Sequence, residues 1–350
     1  DICDKGLEEK TMIEVLEIKN LKSIKNLNLS CLKINIFIGE PNTGKSNILE
    51  SLGVLSFLAY GNKSPLKGFV RYETLSNLFF DEDLENELQI RLQHKTASDV
   101  FEIIFTQEDR FKGTYFGYDV SKNFKTDKKN LFEFDYMAKG QYEREQRFEH
   151  IKFYRFEKRG LFPEKYSSCL LPPFGSNLLS VLKTHKNLKQ EIIDNFLKPF
   201  DYKLMFKPQE NKIEIVKQYD DILISIPYAL ISDTFQRLIF YLTTILSNRD
   251  SVLVFEEPES HTFPYYTKFL AESIALDDKN NQFFISTHNP YFLFSVLEKS
   301  KKDDIAVFVV YMENFETKAR KLTQQEIEEA MNIGLDFFFN LDRFKNEEQE

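Results

Sequence analysis

The architecture of this chain follows from Phe37-Ile38-Gly39-Glu40-Pro41-Asn42-Thr43-Gly44-Lys45-Ser46-Asn47, a segment with the spacing Gly-x-x-x-x-Gly-Lys-Ser. Residues 32–38 are mostly apolar and predict a buried strand, whereas residues 46–60 carry apolar side chains at helical spacing. A strand, a glycine-rich loop and a helix in this order are the setting that a phosphate-binding loop requires. The sequence therefore predicts an α/β fold of the P-loop class, with a nucleotide as its ligand.

The predicted phosphate loop offers a backbone, a cation and a hydroxyl to the nucleotide. Gly39 and Gly44 let the backbone turn its N–H groups toward the phosphates. Lys45 can place a positive charge near the β- and γ-phosphates, and the Ser46 hydroxyl can bind magnesium. The predicted nucleotide-binding residues are Gly39, Glu40, Pro41, Asn42, Thr43, Gly44, Lys45, Ser46 and Asn47. The implied cofactors are ATP and Mg²⁺.

Length and composition indicate a globular protein with a sizeable core. The 350 residues are 42% hydrophobic and suggest about two lobes. The three cysteines, Cys3, Cys31 and Cys169, are scattered, so neither a disulfide framework nor a zinc site is indicated. No run of 18 apolar residues occurs, and residues 1–11 are polar and acidic, unlike a secretion signal. We therefore expect a cytoplasmic protein without membrane contact.

The formal net charge of −9 argues against a protein whose whole surface binds nucleic acid. A local basic patch is compatible with this charge, so DNA contact through one stays open. Two candidates, both with interleaved aromatic residues, are residues 122–129 and the group Lys152, Arg155, Lys158 and Arg159. Solvated loops on a lysine-rich surface are the simpler interpretation, and we favour it.

Apolar periodicity predicts further strands and helices along the chain. Residues 110–165 are dense in aromatic and charged residues without a clear period, and we interpret them as a variable lobe. The predicted strands cover residues 12–19, 24–29, 87–92, 99–106, 202–216 (as a hairpin) and 304–311, and the predicted helices cover residues 178–197, 234–247 and 323–334. The predicted organisation is an upstream extension (1–11) and one domain (12–350), divided into a sheet and phosphate-loop lobe (12–115), a variable insertion (116–170), a helical lobe (171–250) and a C-terminal part of the core (251–350).

Two further clusters carry candidate catalytic residues. Residues 251–255 are apolar and run into Glu256 and Glu257, the pattern of a buried parallel strand that presents acids to magnesium and to an attacking water. A strand followed by an acidic turn is the alternative. A third apolar strand, residues 282–285, leads into Ser286-Thr287-His288. For His288 we favour contact with the γ-phosphate or the water, whereas for His261 a structural role is equally plausible.

The three clusters together resemble the ABC-class ATPase heads of the SMC, RecF and OLD-like group. They are most similar to stand-alone bacterial AAA family ATPases of the anti-phage defence type. The resemblance covers residues 12–115 and 170–310. The motifs that carry it are residues 18–24, 39–50, 256–261 and 286–290. It implies a P-loop NTPase of the ABC head type, with a mixed or parallel sheet, N-terminal antiparallel strands and a smaller helical or variable lobe.

The resemblance also implies roles for the two acids. Glu257 matches the family's catalytic glutamate, and His288 would act beside it. Glu256 stands where the family usually has the aspartate of the magnesium site, and it would serve magnesium together with Ser46. The longer side chain changes how magnesium's water shell is held, so we expect slow ATP hydrolysis. The glutamine loop of such heads has three candidates here, Gln89, Gln93 and Gln107.

A serine-led signature should precede the acidic strand, and Ser232, Asp233, Thr234 and Arg237 occupy that place. In the resembled family this helix end faces the nucleotide of a second subunit, which implies a homodimer. Arg237 can then reach the phosphates in trans. Thr234 stands where glycine is usual, so the contact with phosphate is expected to differ. An ordinary helix N-cap at Ser232 is the alternative.

The resemblance implies an ATP-gated sensor or clamp that acts with a separately encoded effector, a nuclease or toxin, in anti-phage defence or DNA maintenance. A non-hydrolysing scaffold that ATP locks is the alternative. A transporter ATPase subunit is disfavoured, because the chain has no Leu-Ser-Gly-Gly-Gln motif. No heptad run is long enough for a coiled-coil arm, and the sequence after Pro290 is too short for a TOPRIM nuclease domain.

Overall fold

The computed structural model describes residues 12–119 and 124–345. The strands are β1 (Val15–Leu21), β2 (Ile24–Ser30), β3 (Ile34–Ile38), β4 (Leu88–Gln93), β5 (Ala97–Phe105), β6 (Phe111–Asp119), β7 (Phe124–Lys125), β8 (Lys129–Phe134), β9 (Gly140–Tyr142), β10 (Ile151–Tyr154), β11 (Tyr202–Lys207), β12 (Lys212–Tyr219), β13 (Ile222–Pro227), β14 (Val252–Glu256), β15 (Gln282–Ser286), β16 (Ile305–Glu313) and β17 (Glu316–Lys321). The helices are α1 (Lys45–Tyr60), α2 (Leu178–Thr184), α3 (Lys186–Ile192), α4 (Asp233–Ser247), α5 (Pro264–Ala275), α6 (Pro290–Lys299) and α7 (Gln324–Ile333).

A mixed sheet of six strands, in the order β10-β14-β15-β3-β16-β17, carries the phosphate loop near its centre. The first five strands of this order are parallel, and β17 pairs antiparallel with β16. Strands β3 and β15 are buried along their whole length, as expected for a parallel sheet covered on both faces. The carboxyl ends of β3, β14 and β15 meet at one edge, so the loop, the acids and the histidine that follow them come together.

Alternate side chains of β3 enter two different cores. Phe37 points into the first core, which contains α1 and most of an antiparallel sheet, and its ring stacks on Phe308 at a centroid distance of 5.2 Å. Ile36 and Ile38 point into the second core, to which all the helices from α2 to α7 contribute. The predicted P-loop fold of α/β class, with N-terminal antiparallel strands, is confirmed.

Two further sheets, one of eight strands and one of three, complete the described fold. The larger is antiparallel, with the order β2-β1-β4-β5-β6-β8-β9 and with β7 beside β6. The other is a three-stranded antiparallel sheet, β11-β12-β13, which directly precedes α4 along the chain. None of the helices in the described ranges is long and apolar enough to cross a membrane.

The structure corrects two predictions of secondary structure. Residues 110–165, which have no legible period, form strands β6 to β10, and β10 belongs to the central sheet. Lys152 interrupts the apolar pattern of β10, because this charged side chain is buried in the strand and donates to the Asn248 side chain at 2.5 Å. The predicted helix 178–197 is interrupted at His185, whose backbone is extended (φ −86°, ψ 90°), so α2 and α3 are separate. The predicted extension, residues 1–11, lies outside the described residues.

Candidate nucleotide site

The phosphate loop depends on glycine at two positions. Gly44 has a φ of +96°, and a Cβ there would lie 2.0 Å from the Thr317 hydroxyl oxygen. Gly39 has a φ of +151°, and a Cβ there would lie 2.1 Å from the Val310 carbonyl oxygen. Side chains larger than hydrogen would therefore be strained and would push the loop away from the β16–β17 hairpin.

The Lys45 ammonium lies beneath this loop and binds to its backbone. It donates to the carbonyl oxygens of Gly39 at 3.0 Å and Glu40 at 2.6 Å. Burial lowers the pKa of Lys45 to about 8, and the negative charges of Glu257 and Glu40 partly oppose this shift. A phosphate group in the loop would favour the charged ammonium further, because opposite charges at close range stabilise the ionised form.

A polar network that the sequence analysis missed supports the loop from the other side. The Thr317 hydroxyl donates to the Thr43 carbonyl oxygen at 3.0 Å and shares a hydrogen bond of 2.6 Å with the Ser23 hydroxyl. Asn47 Nδ2 also donates to Ser23, at 2.7 Å. Ser23 belongs to the opening motif, which is its only sequence signal, and Thr317 has none because it lies far along the chain.

The loop opens into a cavity of about 660 Å³. Its wall contains residues from the loop, from the ends of β14 and β15, from α4 and from segments around Arg71 and Arg155. The lining residues are Ser23, Pro41, Asn42, Thr43, Gly44, Lys45, Ser46, Asn47, Arg71, Arg155, Phe156, Arg237, Tyr241, Glu256, Glu257, Ser260, His261, His288 and Met312. The cavity therefore gathers the predicted loop, acids and histidines into one polar site.

Glu257 and His288 form a hydrogen-bonded pair in this cavity. His288 Nε2 lies 3.2 Å from Glu257 Oε1, and the Ser260 hydroxyl donates to Glu257 Oε2 at 3.0 Å. These contacts, led by the one with His288, lower the pKa of Glu257 to about 2. The residue has a φ of +43°, which is uncommon for a side chain of this size, and its N–H donates to the Ser286 carbonyl at 3.0 Å. The carboxylate is thus ionised and held in place at the end of β14.

Glu256 faces a different set of partners. It lies 3.1 Å from Arg71 and 3.5 Å from Arg155. Both arginines also contact the fully buried Glu50, at 2.8 Å and 3.3 Å, and Lys22 pairs with Glu50 as well. Neither Arg71 nor Arg155 has a sequence signal for this role, because both come from segments without a motif.

A third carboxyl group of the acidic motif lies below the cavity. Glu259 is only 4% exposed and accepts a hydrogen bond from the Thr287 hydroxyl. Its other oxygen is buried without a hydrogen-bond partner in the described part of the chain. Burial raises the pKa of Glu259 to about 7. The carboxyl group connects the loop after β14 with the Ser-Thr-His segment after β15.

Comparison with known proteins agrees with this arrangement. Residues 34–293, more than half of the chain, match the family model described as "AAA domain, putative AbiEii toxin, Type IV TA system". The chain belongs to this family. An ATP/GTP phosphatase of Helicobacter pylori (strain ATCC 700392 / 26695) is 35% identical over 92 residues, which are 23% of this chain and 24% of that protein. The match thus spans about a quarter of the length of that relative.

The chain also shares its fold with a solved SMC head. An SMC head bound to the C-winged helix domain of ScpA superposes with a TM-score of 0.50 at 15% identity, covering 91% of this chain and 99% of that one. An SMC head domain with an extended coiled coil, derived from Pyrococcus furiosus, gives a TM-score of 0.47 at 15% identity, covering 95% and 99%. The family match confirms the predicted AAA family, and the structural match shows that the chain has the fold of an SMC head.

The four predicted signature residues lie in two different environments. Ser232 caps α4 and accepts from the Phe235 N–H at 3.4 Å, Asp233 pairs with Lys158 at 2.7 Å, and Thr234 donates to the His261 carbonyl at 3.0 Å. None of these three residues, all of which the structure describes, lines the cavity. Arg237, which the sequence placed in trans, lines the cavity of its own chain.

Other predicted contacts lie away from the site. The side chains of Gln89 and Gln93 donate to Glu102 and Glu17 within the antiparallel sheet, and the described cavity wall includes neither these nor Gln107. A glutamine loop at these positions is therefore not supported.

Neither candidate basic patch is a free cationic surface in the described residues. Lys152 is buried, Arg155 pairs with Glu50 and Glu256, and Arg159 pairs with Glu157 at 2.9 Å. Lys128 and Lys129 pair with the acids Glu102, Glu143 and Glu145. Lys122 and Asn123 of the candidate patch at residues 122–129 lie outside the described residues.

Proposed function

We propose that this chain binds ATP with magnesium in the described cavity and hydrolyses it slowly, as the gating step of a homodimeric sensor or clamp. The observation that carries the proposal is the placement of the Glu257–His288 pair in the same cavity as the phosphate loop. Lys45 and the loop N–H groups would bind the phosphates. An ionised carboxylate in the cavity wall can take a proton from an attacking water.

Glu257 is suited to the role of general base by its position and charge. The hydrogen bonds from Ser260 and the His288 contact fix both carboxylate oxygens. A pKa as low as about 2 keeps the group charged at neutral pH but also weakens it as a base. Slow turnover is therefore expected until a substrate changes these contacts.

The donor set at the cavity suits magnesium. Magnesium in nucleotide sites usually takes one or two protein oxygens, with phosphate oxygens and water as its other ligands. Ser46 lies in the first turn of α1, and Glu256 ends β14, so both can supply oxygen at the cavity wall. No cluster of three or more acidic, histidine or cysteine ligands occurs in residues 12–119 and 124–345. When bound, the ion would neutralise phosphate charge, and Ser46 and Glu256 would hold it.

The first test is the Lys45→Ala variant, which removes the cation of the loop. We expect the parent to bind and hydrolyse ATP and the variant to lose ATP affinity, as titration with a fluorescent ATP analogue and a phosphate-release assay would measure. The Gln89→Ala variant is the control, because Gln89 does not line the cavity. Equal ATP affinity in parent and Lys45→Ala would refute the assignment.

Dimer formation is the second part of the proposal. It is supported by the exposed N-terminus of α4, where Ser232 lies outside its own chain's cavity. Ser232→Arg should block ATP-dependent association by adding bulk and charge there, with little change in thermal unfolding. Sedimentation velocity with and without ATP is the measurement. A parent that stays monomeric in both conditions would exclude the dimer.

The effector is proposed to be a separately encoded nuclease or toxin, in phage defence or DNA maintenance. The description of the family names the AbiEii toxin and a type IV TA system, which supports a link to a toxic activity. A scaffold that ATP locks without hydrolysis is the second candidate. It would show ATP-dependent assembly in the parent with no phosphate release.

A further inference from the structure

Three arginines line the cavity, and they differ in their partners. Arg71 and Arg155 each contact both Glu50 and Glu256. Arg237 makes no ion pair with any residue in the described ranges, and its Nε is buried there without a hydrogen-bond partner. The charge of Arg237 is therefore available to a ligand, whereas the charges of the other two are already compensated.

The Arg237 guanidinium is nevertheless held in position. Its central carbon lies 4.7 Å from the centroid of the Phe156 ring, which also lines the cavity. Stacking on an aromatic face fixes the plane of the guanidinium group while leaving its N–H donors free. Tyr241, one turn further along α4, lines the same cavity and is buried. This face of α4 thus belongs to the cavity wall, although the helix begins outside it.

We infer that Arg237 binds the terminal phosphate of the nucleotide held by its own chain, which makes α4 a sensor of ATP against ADP in cis. The inference rests on the proposed function only in that ATP occupies the cavity. Planar guanidinium groups bind phosphate oxygens through two parallel N–H donors. Ser232 and Arg237 would then have different roles at the same end of α4. Ser232 lies at the exposed N-terminus of the helix, whereas Arg237 lies about one turn further along, in the cavity wall of its own chain.

The first experiment compares ATP and ADP affinities, so it does not depend on hydrolysis. Arg237→Ala should weaken ATP binding about 10-fold or more and ADP binding by about 3-fold or less, because one charge-assisted contact to the last phosphate is lost. Arg237→Lys keeps the charge without the paired donors and should give a smaller ATP defect. If the Arg237→Ala variant does not fold, the Arg237→Lys variant provides the test.

Arg159→Ala is a matched control. Arg159 also stacks on a phenylalanine, with its central carbon 4.9 Å from the Phe174 ring centroid, but it lies outside the cavity wall of the described chain. Its loss should leave both affinities unchanged. Equal weakening of ATP and ADP by Arg237→Ala, or no weakening of either, would overturn the inference.

The second experiment separates cis from trans action. Arg237→Ala and Lys45→Ala chains are mixed, and phosphate release is compared with that of each chain alone. If Arg237 acted in trans, the Lys45→Ala chain would supply it to the intact loop of its partner and activity would return. We expect no recovery, and recovery would contradict the inference. A parent without any hydrolysis would refute the proposed enzyme activity, while the affinity comparison would still decide the role of Arg237.

Discussion

The two adjacent acids at the end of β14 both line the cavity, but their partners differ in almost every respect. Glu257 has a histidine and a hydroxyl as partners, and 41% of its side chain is exposed. Glu256 is placed against two arginines that also bind the buried Glu50. We call these the histidine side and the arginine side. Glu257 is therefore the candidate base of the proposed hydrolysis, whereas Glu256 belongs to a charge network with Arg71 and Arg155.

The largest expected effect is on the histidine side. Glu257→Gln keeps the size of the side chain but removes the base, so ATP turnover should fall by about 100-fold or more while ATP affinity is preserved. Steady-state phosphate release and nucleotide titration are the measurements. His288→Ala should resemble this variant, because it too changes contact with the water and the γ-phosphate. Unchanged hydrolysis in Glu257→Gln would exclude Glu257 as the base.

The buried Glu259 should make the stability of the fold depend on pH. The pKa of Glu259 is about 7 in the folded chain, above the ordinary glutamate value of 4.5. Between these two pH values the carboxyl group is therefore protonated in the folded chain and ionised in the unfolded chain. The free energy of unfolding should therefore fall as pH rises from 4.5 to 7, by up to about 3 kcal/mol for this group.

Glu259→Gln isolates this contribution, because the amide keeps an acceptor for Thr287 and cannot titrate. Urea unfolding of parent and variant at pH 5 and pH 7 gives the difference. Neighbouring Glu257, whose pKa is about 2, stays ionised throughout this interval. The variant should lose less stability than the parent between the two pH values. Identical losses would show that Glu259 is already ionised at pH 5.

A smaller effect is expected on the arginine side. Glu256→Gln should weaken magnesium-dependent retention of ATP about 10-fold, roughly the 1.4 kcal/mol that corresponds to one weakened contact. Arg71 and Arg155 keep Glu50 as a partner, so the fold should persist. Binding in the presence of a magnesium chelator is the control. An equal loss with the chelator would mean that Glu256 supports the site through its arginines alone.

The two sides also differ in how far the sequence predicted them. The loop, Glu257 and His288 each lie within a short motif at a strand end, and parallel strands bring such ends together. Arg71, Arg155 and Thr317 come from distant segments, and only the folded sheet brings them to the cavity. The resemblance predicts that Arg237 acts in trans, whereas the structure places it in the cavity wall of its own chain, because a resemblance gives the place of the helix end and not the direction of each side chain.

The position of β3 has a consequence for the order of synthesis. This strand carries the phosphate loop near the start of the chain, yet its two neighbours in the sheet are β15 and β16, which follow more than 240 residues later. The loop also packs against Thr317 and Val310. A ribosome must therefore release the chain as far as Thr317 before the loop acquires its shape. A nascent or prematurely terminated chain would contain the complete motif without being able to use a nucleotide.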